Sequence, residues 1–192
     1  MAEPGPMTAA DFEARYRRDP DPWAYTSSAY ERDKYAATLE ACGEGPFTAA
    51  LELGGSIGVF STLLAFRCRS LVTIDASVTA VTVARRRLAR RRSVTVIAGT
   101  IPQDIPRREY DLVVASEILY YLTGSQLDDT LDVVRDCTRA GARLVAVHWR
   151  PAGPDRPLDA ATVHDRLRGL PWLARVAADE TGDYLLDVLE RR

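Results

Sequence analysis

The stretch from Ala49 to Asp75 constrains the fold more than any other part of the chain. Ala49-Ala50-Leu51-Glu52-Leu53 is an apolar run carrying a carboxylate near its end. The glycine-rich segment Gly54-Gly55-Ser56-Ile57-Gly58 follows, then a helix-compatible segment, then a second apolar run, Leu71-Val72-Thr73-Ile74, closed by Asp75. Strand, glycine turn, helix and strand make a β-α-β unit, which calls for a parallel sheet. Glycine lets the backbone bend and approach a ligand without a Cβ clash. In open α/β sheets, ligands bind at the carboxyl tips of the strands. The unit therefore predicts a pocket with a carboxylate at each of two strand tips.

The remainder of the chain can be placed around this unit. Residues 1–7 read as a disordered leader. Thr8-Ala9-Ala10-Asp11 reads as a capping box opening a helix to about Arg18, with Phe12 and Tyr16 on one face. Asp19-Pro20-Asp21-Pro22 stops it, because proline cannot continue a helix, and Trp23-Ala24-Tyr25 follows in a loop. Ser28-Ala29-Tyr30-Glu31 reads as a second capping box for a helix to about Cys42. Strands are expected at 47–53, 70–75, 94–98, 110–116 and 142–148, with helices at 58–67, 78–90, 124–137 and 159–168. Leu173 to Asp179 and Tyr184 to Leu189, joined by Thr181-Gly182-Asp183, read as an antiparallel hairpin. The sum is a seven-stranded α/β sheet.

At 192 residues the chain fits one domain with a full core. A net charge of −2 disfavours general nucleic-acid affinity. Arg85-Arg86-Arg87 and Arg90-Arg91-Arg92 close a helix, where cations offset the dipole, and no aromatics interleave them. No apolar run spans a membrane, and no signal-like N-terminus is visible. Cys42, Cys68 and Cys137 are scattered and read as buried thiols of a reducing, cytoplasmic protein. With two histidines, His148 and His164, no metal site is expected.

The glycine turn is not a P-loop, because Gly-Lys-Ser/Thr is missing, and it lacks the G-x-G-x-x-G spacing of a dinucleotide site. It reads Glu-x-Gly-x-x-x-Gly, with Asp75 lying 17 residues beyond Gly58. A carboxylate ahead of the turn suits a cationic ligand group better than a pyrophosphate, and a carboxylate at the next strand tip can accept both ribose hydroxyls. The two acids together point to a ligand with an ammonium group and a ribose but no phosphate. S-adenosylmethionine fits that description.

Five pieces in order resemble a known family: Asp21-Pro22-Trp23; Ser28 to Tyr35; Leu51 to Phe60; Tyr110 to Leu122; and Gly141 to Arg150. On these the chain resembles the class I S-adenosylmethionine-dependent methyltransferases, and more narrowly the nodulation protein S (NodS)-like group. Gly55 stands where that group often has Cys. Gly99-Thr100 stands where many methyltransferases carry an acid for the adenine amino group, which leaves that contact to a backbone carbonyl or the Thr100 hydroxyl.

The resemblance implies a three-layer α/β/α Rossmann-like methyltransferase sheet whose last strands form an antiparallel hairpin, in a single domain with residues 8–42 as a helical cover. It implies S-adenosylmethionine as cofactor and S-adenosylhomocysteine as product. The cofactor-binding residues it points to are Trp23, Tyr30 and Lys34 from the cover, and Glu52, Gly54, Gly55, Ser56 and Gly58 from the turn. Asp75, Ala76 and Ser77 follow strand two, Gly99, Thr100 and Ile101 follow strand three, and Ser116 ends strand four. Glu117, Tyr120 and His148 are the candidate catalytic residues. The expected reaction is transfer of a methyl group to a small-molecule acceptor, with the nitrogen of an amino sugar or similar amine favoured. A hydroxyl acceptor, a non-catalytic cofactor-binding domain and an RNA-methylating subunit are the alternatives. No membrane or nucleic-acid partner is expected, and the chain is expected to act as a monomer or homodimer.

Overall fold

The computed structural model describes residues 7–151 and 153–192. The expected leader therefore lies, but for Met7, outside the described residues. Seven strands form one sheet: β1 (Ala50–Leu53), β2 (Leu71–Asp75), β3 (Val94–Ala98), β4 (Tyr110–Ser116), β5 (Thr138–Trp149), β6 (Leu173–Glu180) and β7 (Tyr184–Arg191). Their order is β3-β2-β1-β4-β5-β7-β6. The first five are parallel, and β7 enters antiparallel between β5 and β6. β1 pairs with β2 on one side and with β4 on the other, so the order switches at β1 and opens a crevice at the carboxyl tips of β1 and β4.

Alternation along the strands sorts side chains onto two faces. Leu51, Leu53, Val113, Ala115, Leu144 and Ala146 pack under α5 (Gly124–Asp136) and α6 (Ala160–Arg168). Ala50, Leu112, Val114, Val145 and Val147 pack under α2 (Ala29–Cys42) and α3 (Val59–Leu64). That makes the three layers. Glu52 shares the second face with Ala50, which aims its side chain at α3.

α1 (Ala9–Arg18) begins with the expected capping box, Thr8 and Asp11 bonding reciprocally. It docks on α4 (Val78–Arg87) through Glu13, which accepts from the Ser77 hydroxyl at 2.7 Å, the Thr79 amide at 3.0 Å and the Thr79 hydroxyl at 2.7 Å. Those bonds hold the Glu13 carboxyl down at about 2, the Thr79 amide contributing most. The second capping box is only half formed. Ser28 caps α2 by accepting from the Glu31 amide, but the Glu31 side chain turns away to Lys34.

Several boundaries move. The first strand is shorter than 47–53, because Phe47 makes only an isolated bridge to Cys68. The helix expected at 58–67 tightens to 3-10 geometry over Ala65–Arg67, and α4 stops at Arg87 rather than 90. β5 runs longer at both ends: Thr138 already pairs with Tyr110 of β4, and antiparallel pairing with β7 continues to Trp149. Among the described residues, no helix is long and apolar enough to cross a membrane, and the three cysteines are buried without disulfides.

Candidate active site

The turn after β1 is built for close approach. Gly54 and Gly58 sit at φ +73° and +79°, and Ser56 takes +50°. The amides of Gly54 and Gly55 both donate to the Ile74 carbonyl, which ties the turn to β2. A Cβ on Gly55 would stand 1.8 Å from the Thr73 hydroxyl and 3.2 Å from Glu52, so a side chain here would have to displace the Thr73 hydroxyl. Gly58 serves a different end: a Cβ there would press on Ala84 and Leu88 of α4, so it packs two helices together. Beneath the turn lies Glu52, only 3% exposed, accepting from the hydroxyls of Ser61 and Thr73. Burial raises its pKa against those two bonds, and no salt bridge reaches it among the described residues. It faces a small cavity with Gly54, Gly55, Ser56, Tyr25, Tyr35, Ser116 and Glu117.

Asp75 closes the other end of the turn. One carboxylate oxygen accepts from the Ser56 amide at 2.8 Å, the other from the Ser77 amide at 2.9 Å. Burial raises its pKa, partly offset by these two amides. Each oxygen keeps lone-pair capacity for a ligand hydroxyl. From Asp75 a cleft runs along the strand tips. Of the expected residues it brings together Trp23, Gly54, Ser56, Asp75, Ala76, Gly99, Ile101 and Ser116, with Glu117 at its far end. Ser77 and Thr100 do not join that lining. Ser77 is fully buried, capping α4 and donating to Glu13. Thr100 is exposed, its amide and hydroxyl both turned to Asp104 at 2.8 and 3.2 Å.

A second cleft adjoins the first and shares Trp23, Tyr25, Glu117 and Tyr121 with it. Here lie the expected Tyr30, Lys34 and Tyr120, with Glu31, Trp149, Asp155 and Arg156. Lys34 is 2% exposed and donates to Glu31 at 3.0 Å and to Glu117 at 2.8 Å. This places it across from the glycine turn, in a buried ion triad. Glu117 follows β4 in the left-handed region at φ +56°, a costly conformation for a residue with a Cβ. It holds its carboxylate at the junction of the clefts, accepting from Lys34, the Tyr120 hydroxyl and the Trp149 amide. Burial, and then the Glu117 charge, push the Tyr120 phenol far above its ordinary value, so the phenol donates and stays protonated.

His148 is a correction. It is fully buried and lines neither cleft. Its Nε2 accepts from the Leu119 amide at 3.2 Å, which leaves Nδ1–H to donate to His164 at 3.0 Å; His164 in turn donates to Asp187 at 2.7 Å. Arg168 completes the chain with a 2.8 Å bond to Asp187. Burial and then His164 hold the His148 imidazole well below its ordinary pKa. Both ring nitrogens are spent, so it cannot take a proton from a ligand. It supports the turn at Leu119–Tyr121 from behind, its ring 5.0 Å from that of Tyr120. Alternation along β5 puts it on the face of Leu144 and Ala146, under α6, where His164 meets it.

Sequence reasoning missed several lining residues: Phe12, Tyr16, Tyr25, Ile118 and Tyr121 in the first cleft, and Glu31, Asp155 and Arg156 in the second. The four-residue spacing of Phe12 and Tyr16 was the available signal, since it gives α1 an aromatic face. That face meets Trp23 (6.4 and 5.5 Å between ring centres), Phe12 also meets Tyr121 at 4.9 Å, and Tyr16 bonds the Ser56 hydroxyl. Asp21 shapes the loop between, accepting from the amides of Tyr25 and Thr26 at 2.8 and 2.9 Å. Among the described residues no group of three or more metal-binding side chains occurs.

The sequence profile of the family Nodulation protein S (NodS) matches residues 9–144. The chain is 33% identical over 103 residues to nodulation protein S of Sinorhizobium fredii, covering 53% of this chain and 48% of that one. Nodulation protein S of Rhizobium tropici gives 33% over 103 residues, covering 53% and 43%. The chain thus spans about half the length of these relatives. Its fold is similar to the crystal structure of N-methyltransferase NodS from Bradyrhizobium japonicum WM9 in complex with S-adenosyl-L-homocysteine, with TM-score 0.86 and 26% identity over 96% of this chain and 99% of that one.

Proposed function

As this chain belongs to the nodulation protein S (NodS) family, we propose that it is an S-adenosylmethionine-dependent methyltransferase acting on the nitrogen of a small molecule, an amino sugar or similar amine. The observation that carries this reading is Glu52, a buried carboxylate beside the glycine turn with no cationic partner among the described residues. A buried charge calls for an opposite one, and a ligand ammonium supplies it. Asp75, pinned by two amides, presents its oxygens to a ribose. Gly55 keeps the turn open for the chain between. Bound along this cleft, the cofactor supplies a methyl group activated by a sulfonium. Trp23 and Tyr25, shared by both clefts, offer aromatic faces that attract such a cation. Residues 8–42 act as a cover clamped by Glu13, and the chain works in the cytoplasm as a monomer or homodimer.

The acceptor lies in the second cleft, with its nucleophilic atom at Glu117. A hydroxyl acceptor needs a base, and Glu117 is already bonded by three donors. An amine needs orientation and loss of one proton to solvent, which suits a carboxylate held rigidly at the junction. The rate therefore rises with pH toward the amine's own pKa. The test titrates the protein with S-adenosylhomocysteine and screens amino sugars against their N-acetylated counterparts, locating the new methyl by NMR. Methyl on oxygen, with the N-acetylated compound turning over equally, overturns the nitrogen assignment. Failure to bind S-adenosylhomocysteine overturns the cofactor assignment.

A further inference from the structure

Among the described residues, two buried side-chain polar atoms have no hydrogen-bond partner: Glu31 Oε2 and Tyr30 Oη. Both residues line the second cleft. Glu31 is 8% exposed and its pKa is raised, burial being the first cause. Its Oε1 meets the charge of Lys34 at 3.0 Å, which is all that neutralising the lysine requires. Lys34 gives its two bonds to Glu31 Oε1 and to Glu117 and none to Oε2, and it lies 5.0 Å from the centre of the Tyr30 ring. The cleft lining carries three carboxylates, Glu31, Glu117 and Asp155, against two cations, Lys34 and Arg156. Arg15 also reaches Asp155 at 3.7 Å, which leaves Glu31 Oε2 as the buried carboxylate oxygen of this lining without a partner among the described residues.

A buried acceptor atom left unmade costs free energy, so its persistence at a cleft wall marks where a ligand donor belongs. That donor is not the nucleophilic nitrogen. Methyl transfer requires contact with both clefts, and Glu117 lines both whereas Glu31 lines only the second. The two carboxylates are separated by the single Lys34 ammonium they share.

We infer that Glu31, assisted by Tyr30, is a specificity-determining residue of the acceptor cleft, selecting an acceptor that carries a hydroxyl close to its nucleophilic nitrogen. The inference rests on the amine reading above. The acceptor class is an amino alcohol, whose nitrogen is oriented by Glu117 while its hydroxyl donates to Glu31 Oε2. A simple amine of the same skeleton leaves that oxygen unmade and is discriminated against, as sites built to bond a hydroxyl discriminate against analogues lacking it.

The probes are trans-2-aminocyclohexanol and cyclohexylamine, with S-adenosylmethionine for turnover and S-adenosylhomocysteine for calorimetric binding of each amine to the dead-end complex. The wild-type chain should favour the amino alcohol by about tenfold in both kcat/KM and affinity, the order of one charge-assisted hydrogen bond. Glu31→Leu should bring that ratio to within about twofold, through the KM of the amino alcohol, over and above whatever fall in rate the two amines share. A purely structural Glu31 would lower both amines equally and preserve the ratio, which overturns the inference, as does a wild-type chain with no preference. If Glu31→Leu does not fold, Tyr30→Phe decides: a fall in the ratio supports the inference and an unchanged ratio overturns it. Methylation of neither amine by a wild-type chain that still binds S-adenosylhomocysteine overturns the amine reading, and the Glu31 assignment falls with it.

Discussion

The two clefts meet at Glu117 yet are held by different physics. The first is shaped by backbone: amides of Gly54 and Gly55 on the Ile74 carbonyl, and amides of Ser56 and Ser77 on Asp75. Those contacts join residues of one β-α-β unit. The second is shaped by long side chains from distant elements, and the Lys34–Glu117 bond closes 83 residues of chain. A backbone cradle tolerates change in side chains that do not fill it. A side-chain triad depends on every member, because a buried charge without its partner is expensive. The first cleft therefore suits a constant ligand, and the second a ligand that differs among relatives.

The largest effect expected from breaking this contrast is at Lys34. Lys34→Met leaves Glu31 and Glu117 as buried neighbours without their cation, and urea denaturation should show a loss of roughly 3–5 kcal/mol. Turnover should vanish, while S-adenosylhomocysteine affinity at a temperature where the variant is folded changes little. A parallel loss of cofactor affinity would mean that the clefts are not independent.

Asp75→Ala tests the opposite side. Calorimetry should show S-adenosylhomocysteine binding weakened by roughly 1.5–3 kcal/mol, with stability nearer wild type than in Lys34→Met. Unchanged affinity would remove Asp75 from the cofactor site.

Gly55→Ala sharpens the cradle claim. Its Cβ would overlap the Thr73 hydroxyl, whereas one on Gly124 meets nothing within 4 Å. Thermal melts should place Gly55→Ala roughly 1–3 kcal/mol below wild type, and Gly124→Ala no lower than wild type.

The smallest effect is a pH dependence behind the second cleft. Burial keeps the folded His148 imidazole neutral, well below the ordinary value of 6.5. Below pH 6.5 the unfolded chain takes up a proton that the folded chain refuses. Stability fully present above that pH should decline as pH falls, and His148→Asn should flatten the slope. Glu13, held at about 2 against an ordinary 4.5, contributes stability that is lost only below 4.5; burial raises Glu31, Glu52 and Asp75, which also contribute above their ordinary values, so the difference between wild type and His148→Asn reports the histidine.

Legibility in the sequence followed the same division. The capping boxes, the glycine turn and the carboxylates at the tips of β1 and β2 were readable because each belongs to a pattern of residues near in sequence. The half-formed second box shows the limit: Ser28 and Glu31 have the spacing, but Lys34 outcompetes the backbone for the Glu31 carboxylate. Ser77 was expected at the cofactor from the resemblance; its hydroxyl caps α4 and donates to Glu13.

The sequence alone determined that this chain would form a twisted parallel sheet with a backbone-lined pocket at Glu52 and Asp75, since glycine spacing and alternating strand and helix patterns are local properties that burial elsewhere does not alter. Only the tertiary structure decided the rest. The packing of α6 on the sheet brought His164 to His148, and the landing of α2 on the sheet brought Lys34 and Glu31 to Glu117. The physical reason is that charge pairing and burial depend on which surfaces meet, and no single segment carries that information.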